Sequence, residues 1–92
     1  MNTIRAEVRI RGRVQGVSFR YFTSRTAETH AVTGWVRNLP DGDVAAAVEG
    51  RDSDVRAVVD WCRKGPEAAL VEEIAIDWQE ATGEFSDFQV RR

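Results

Sequence analysis

Hydrophobic and polar residues alternate over residues 4–12. Ile4, Ala6, Val8 and Ile10 fall on one side, Arg5, Glu7, Arg9 and Arg11 on the other. A period of two sets them on opposite faces of a strand, one packed and one solvated. The alternation stops at Gly12-Arg13-Val14-Gln15-Gly16-Val17-Ser18, and a helical spacing takes over. Phe19, Phe22, Thr26 and His30 share one helix face, which predicts a helix over about residues 19–30. Thr33–Asn38 reads as a second strand, and Leu39-Pro40-Asp41-Gly42 is turn chemistry. Val44, Ala46 and Val48 alternate along a third strand ending at Gly50, so strands two and three form a hairpin.

Asp52-Ser53-Asp54 starts a second helix with capping and acidic residues. Val55, Val58, Val59 and Cys62 follow at i, i+3, i+4 and i+7, a buried stripe that makes Cys62 a small core residue rather than a nucleophile. Arg63, Lys64, Gly65 and Pro66 close that helix by charge, cap and stop. Ile74, Ile76 and Trp78 alternate in a fourth strand, with Glu72 and Glu73 as rim charges. Thr82-Gly83-Glu84 turns the chain, and Phe88 and Val90 mark a short last strand. The order predicts an α+β protein: a ferredoxin-like βαββαβ sandwich, its antiparallel sheet carrying two helices on one face. Residues 1–92 are expected to form a single domain.

Charge changes this picture in one place. Residues 1–25 carry six arginines against Glu7 alone, a net +5, whereas the remainder carries seven basic and fourteen acidic residues, a net −7. The positive field is therefore expected around the glycine turn, where it would draw in a small anion. The total of −2 argues against a nucleic-acid protein. One cysteine excludes an internal disulfide and suits a reducing cytoplasm. One histidine and one cysteine fall short of the usual zinc ligand sets. No apolar run approaches the roughly 20 residues that span a bilayer, and no secretory leader is visible. A monomer is the default expectation.

The chemistry should lie in the turn between the first strand and the first helix. Its backbone N–H groups can converge, and the helix dipole adds partial positive charge. Gly12 and Gly16 would let the backbone turn tightly and approach a ligand. Arg20, in the first helical turn, could grip a phosphate through two parallel N–H bonds. By spacing alone the loop could equally be a simple corner, since the pattern GxxxxGK[ST] is absent. Asn38 at the hairpin mouth fits local hydrogen bonding as well as catalysis. His30 reads as a capping residue and Ser18 as a loop hydroxyl, neither having an evident partner for catalysis.

The run from Gly12 to Arg20, followed by Gly34-Trp35-Val36-Arg37-Asn38 and Asp41-Gly42, resembles the acylphosphatase family. Gly65-Pro66 and Phe85-Ser86-Asp87-Phe88 look like its later landmarks, and the likeness covers nearly the whole chain. The resemblance implies hydrolysis of an acyl phosphate to a carboxylate and inorganic phosphate, with no metal and no other cofactor. It carries the phosphate-binding arginine onto Arg20 and the water-holding asparagine onto Asn38. The phosphate cradle falls on Gln15, Gly16, Val17, Ser18 and Phe19. Two departures are visible: His30-Ala31 stands where the family often has Leu-Gly, and Ala45 where a Glu is frequent.

Two rival readings come from other classes. One is a non-catalytic module that docks a carboxyl or carbamoyl phosphate for a partner, like the domain that begins the hydrogenase-maturation carbamoyltransferases. Those chains continue far beyond it, whereas this sequence stops at Arg92, which favours the enzyme. The other is an RNA-binding module using Arg5, Arg9 and Arg11. It would want aromatics at the centre of exposed strands, but Trp35 and Trp78 alternate with polar residues as packed aromatics do.

Overall fold

In the computed structural model, which describes residues 2–92, β1 (Thr3–Arg13) is the spine of a five-stranded sheet. It pairs antiparallel with β3 (Val44–Arg51) on one side and with β4 (Leu70–Glu80) on the other. β2 (Thr33–Asn38) pairs antiparallel with β3, and β5 (Phe88–Arg91) lies beyond it, giving the order β4-β1-β3-β2-β5. The ferredoxin-like plan is the expected one, with one difference. β5 runs parallel to β2, so the sheet is mixed rather than wholly antiparallel.

Strand direction decides what meets what. β1 and β2 are each antiparallel to β3, so they run the same way, and β5 follows β2. Their C-terminal ends therefore share one edge of the sheet, as does the start of β4. At that edge the loop leaving β1, the end of β2 and the end of β5 converge.

Ala6, Val8 and Ile10 of β1 stand in register with Val48, Ala46 and Val44 of β3. All six are buried beneath the two helices. α2 (Asp52–Lys64) covers β1, β3 and β4, burying Val55, Val58, Val59 and Cys62 as the heptad-like spacing predicts. Burial pushes the Cys62 thiol up to about 12, well out of the range of a nucleophile. α1 (Phe19–Thr29) covers β2 and β5, but its buried face is Phe19, Thr23 and Ala27. Phe22 is turned outward, 44% exposed, and packs edge-on against Tyr21. The expected face is thus rotated, because the polar Thr23 can be buried once its hydroxyl donates to the Phe19 carbonyl (2.8 Å).

α1 ends on a left-handed residue, Ala31 (φ 55°). The Ala31 N–H donates to the Glu28 carbonyl and the Val32 N–H to the Ala27 carbonyl, both at 3.1 Å. This is the usual glycine-type helix end built on alanine, at a cost of about 1 kcal/mol. His30 caps the same helix and sits 3.7 Å from Asp54 of α2, a structural placement.

The outer sheet face carries the arginine row, and other strands and turns neutralise it. Arg5 pairs with Glu7, Glu49 and Glu84, Arg9 with Asp41 and Asp43, and Arg11 with Glu73. The outer-face arginines Arg5, Arg9 and Arg11 are therefore taken up in local pairs, which weakens the basic surface an RNA would need. Trp35 sits on this outer face with the Arg37 and Arg91 guanidinium groups over its ring at 5.4 and 5.5 Å. Trp78 faces the helix side under Arg56 and stays 40% exposed. Neither tryptophan is a core residue.

Glu49 anchors the connection that delivers β5. It accepts from Arg5 Nη1 (2.9 Å), the Thr82 N–H and hydroxyl (3.0 and 2.8 Å) and the Gly83 N–H (3.0 Å). Burial alone would raise its carboxyl, but these donors outweigh it and hold the group at about 2 instead of 4.5. A depressed folded pKa gives stability that is complete above 4.5 and drains away as pH falls toward 2. The side chain is 4% exposed, so screening is slight, and the contribution is about 3 kcal/mol. Glu49→Gln should therefore be less stable than the wild type at pH 7. The gap in thermal or urea unfolding should close between pH 4.5 and 2, and a gap constant across that range would refute the assignment.

Candidate functional site

The loop from Val14 to Ser18 follows an irregular end of β1. The β1–β4 register slips between Arg11 and Gly12, and Gly12 (φ 134°) lies so close to β4 that a Cβ there would sit 2.1 Å from the Leu70 carbonyl oxygen. The sequence suggested that Gly12 lets the backbone approach a ligand. Its observed role is a strand bulge against β4. Gly16 does make the tight turn: φ is 74° and nothing lies within 4 Å of where a Cβ would be.

From Gly16 to Phe19 the backbone changes hand residue by residue. Gly16 and Ser18 (φ 62°) are left-handed, whereas Val17 and Phe19 are not. Alternating hands turn successive N–H groups toward one side, which makes a concave anion nest. A left-handed serine costs about 1 kcal/mol, strain of the kind that accumulates at functional sites. Ser18 is also the N-cap of α1, yet its side chain makes no capping hydrogen bond and the first turn holds no acid. The helix thus presents its N–H groups and the positive end of its dipole without a counter-charge of its own.

These groups open into a hollow of about 280 Å³ lined by Gly16, Ser18, Phe19, Arg20, Tyr21, Asn38, Val14 and Val90. That volume is several times the ~30 Å³ occupied by a liquid water. Arg20 and Asn38, 18 residues apart in sequence, thus border one space. Asn38 shares the inward parity of Gly34 and Val36 on β2, so it points to the helix side at the sheet edge where the loop lies. Arg20 Nη1 donates to the Arg91 carbonyl at 2.8 Å, which fixes the guanidinium while leaving four of its five N–H donors for other partners.

Gln15 takes a different part from that of its neighbours. Its Nε2 donates to the Leu39 and Asp43 carbonyls, at 2.8 and 2.9 Å. The side chain clips the loop to the mouth of the β2–β3 hairpin and so sets the distance between cradle and Asn38. Val17 is half-buried against the core and does not line the hollow. Phe19 contributes by anchorage, its ring buried and edge-on to Trp61 at 5.5 Å. Val14, Tyr21, Val90 and the Arg91 carbonyl were not expected at the site. Tyr21 follows Arg20 in sequence and could have been suspected. Val90 and Arg91 depend on the parallel pairing of β5, which no local pattern signals.

The family model for Acylphosphatase matches residues 6–90. An acylphosphatase of Geotalea uraniireducens is 51% identical over 87 residues, covering 95% of this chain and 96% of that one. Among solved structures, an acylphosphatase from Bacillus subtilis superposes with a TM-score of 0.92 at 28% identity, covering 97% and 99% of the two chains. A full-length HypF in a phosphate- and nucleotide-bound form reaches 0.86 at 26% identity, covering 99% of this chain but 12% of that one.

Proposed function

The chain belongs to the acylphosphatase family, and from that premise we propose that Arg20 and the amides of residues 15–19 bind the phosphate while Asn38 holds the attacking water. Its substrate is an acyl phosphate and its product inorganic phosphate. The observation that carries the assignment is the convergence of the nest, Arg20 and Asn38 on one hollow.

The chemistry asks for little more. The leaving group is a carboxylate, whose conjugate acid has a pKa near 4, so it departs without a general acid. The water oxygen bonds to phosphorus as the bond to the acyl oxygen breaks and its electron pair leaves with the carboxylate. The water's proton passes to a phosphate oxygen, and the products are a carboxylate and dihydrogen phosphate. Placement and charge stabilisation are what a protein chiefly supplies to such a transfer. Arg20 and the loop amides would hold the equatorial oxygens. Asn38, being neutral, would hold water without repelling the phosphate. Ser18 acts through its backbone, since no base stands ready to activate its hydroxyl.

The same reading takes residues 1–92 as one domain working as a monomer in a reducing cytoplasm, which the buried, unpaired Cys62 suits. Among the described residues, no helix is long and apolar enough to cross a membrane. Hydrolysis of benzoyl phosphate by the purified chain should proceed undiminished in EDTA. Loss of turnover in the chelator would call for a metal. A folded chain with no turnover would revive the docking module.

A further inference from the structure

A second hollow, of about 400 Å³, lies beside the phosphate cradle and is lined mainly by Val17, Phe22, Trp61, Pro66 and Ala68. Ser18 lines both hollows, so the two adjoin at the loop. We propose that this apolar hollow receives the acyl group, and that the chain favours acyl phosphates whose acyl part is apolar and uncharged. The proposal rests on the phosphate-site assignment above and extends it to the substrate class.

The sheet order supplies the geometry. The cradle follows β1, with β3, β2 and β5 to one side and β4 to the other. Asn38, at the end of β2, stands on the first side. Trp61 of α2 and the Pro66–Ala68 segment that enters β4 stand on the second. In-line displacement puts the attacking and leaving oxygens on opposite sides of phosphorus. Water held by Asn38 therefore sends the carboxylate away from β2, toward the Phe22–Trp61–Pro66 hollow.

The lining explains the preference. Phe22 is a large apolar side chain left 44% exposed in the first turns of α1, and the Trp61 ring is half-buried with its edge against Phe19. Glu67 is the only charged residue on this hollow among the described residues. It would repel an acyl group bearing its own carboxylate. An aryl or alkyl group would instead bury against Phe22 and Trp61.

The test compares kcat/KM for benzoyl, acetyl and succinyl phosphate in the wild type, Phe22→Ala, Phe22→Gln and Val90→Ala. The wild type should favour benzoyl phosphate and take succinyl phosphate least well. Both Phe22 variants should lower the benzoyl-to-acetyl ratio about tenfold, and the glutamine keeps the test open if the alanine variant folds poorly. Val90→Ala should leave that ratio unchanged, because Val90 lies on the Asn38 side. An unchanged ratio in folded, active Phe22 variants overturns the acyl assignment alone. A ratio that moves with Val90 instead puts the acyl group on the Tyr21–Val90 wall and overturns it too. Equal use of succinyl and benzoyl phosphate overturns the uncharged class. A folded wild type inactive on all three overturns the phosphate-site reading and this one together.

Discussion

Arg20→Ala should lose turnover and phosphate affinity together, with kcat/KM for benzoyl phosphate falling about 10³-fold or more. The guanidinium is the one formal positive charge lining the cradle hollow among the described residues. Each charge-assisted hydrogen bond is worth about 1.5–3 kcal/mol, and a bidentate grip on phosphate makes two of them. Arginines that stabilise phosphoryl-transfer charge elsewhere contribute about 10³–10⁵. The loss should show in the ground state as well, so competitive inhibition by inorganic phosphate should weaken in step with kcat/KM. Stability should move little, since the one protein bond lost is a surface contact to the Arg91 carbonyl. Arg20→Lys separates charge from fork geometry: it should recover part of the phosphate affinity but little of the rate. An Arg20→Ala variant still inhibited by phosphate at wild-type concentrations would refute the clamp.

Much of this site could be read from residues 12–38. A glycine-bearing turn between an alternating strand and a helix is a local feature, and backbone conformation there depends on the residues in it. α2 was legible for the same reason, its apolar stripe matching the period of a helix. The α1 face was misread because Phe22 and Thr26 obey that period as well as Thr23 and Ala27 do. Hydrophobicity favoured Phe22, and the Thr23 hydrogen bond that decides the matter exists only in the folded helix.

What escaped the sequence was non-local. Counting charge along the first 25 residues gave a strong positive field, yet the partners that cancel Arg5 and Arg9 come from β3, the hairpin turn and the β4–β5 connection. The parallel β5 was equally invisible, because four residues of alternation specify a strand but not its direction. That strand matters to the site. It brings the Arg91 carbonyl to Arg20 and Val90 to the hollow, and it is held in turn by the Glu49 network at the far end of the sheet. Gln15 illustrates the opposite case. Its position in the loop was read correctly, but its side chain serves the hairpin rather than the ligand.

Asn38→Ala should divide what Arg20→Ala removes together. Phosphate inhibition should stay within about threefold of the wild type while kcat drops by about 10²–10⁴, the range that loss of one positioned polar group in a preorganised site produces. In the proposed assignment Asn38 meets the water and not the phosphate, so its removal costs the transition state more than the ground state. Its strand should survive, because the backbone pairing with Val44 does not use the carboxamide. Asn38→Asp makes the sharper comparison. It keeps the shape and can still accept a hydrogen bond from water, but its negative charge faces the phosphate dianion across the hollow. It should lose phosphate affinity as well as rate, and the loss should shrink as salt screens the pair. If the alanine and aspartate variants instead lose rate and phosphate affinity to the same degree, with unfolding midpoints that fall alongside, Asn38 holds the hairpin mouth in place and the water must be positioned by the loop itself.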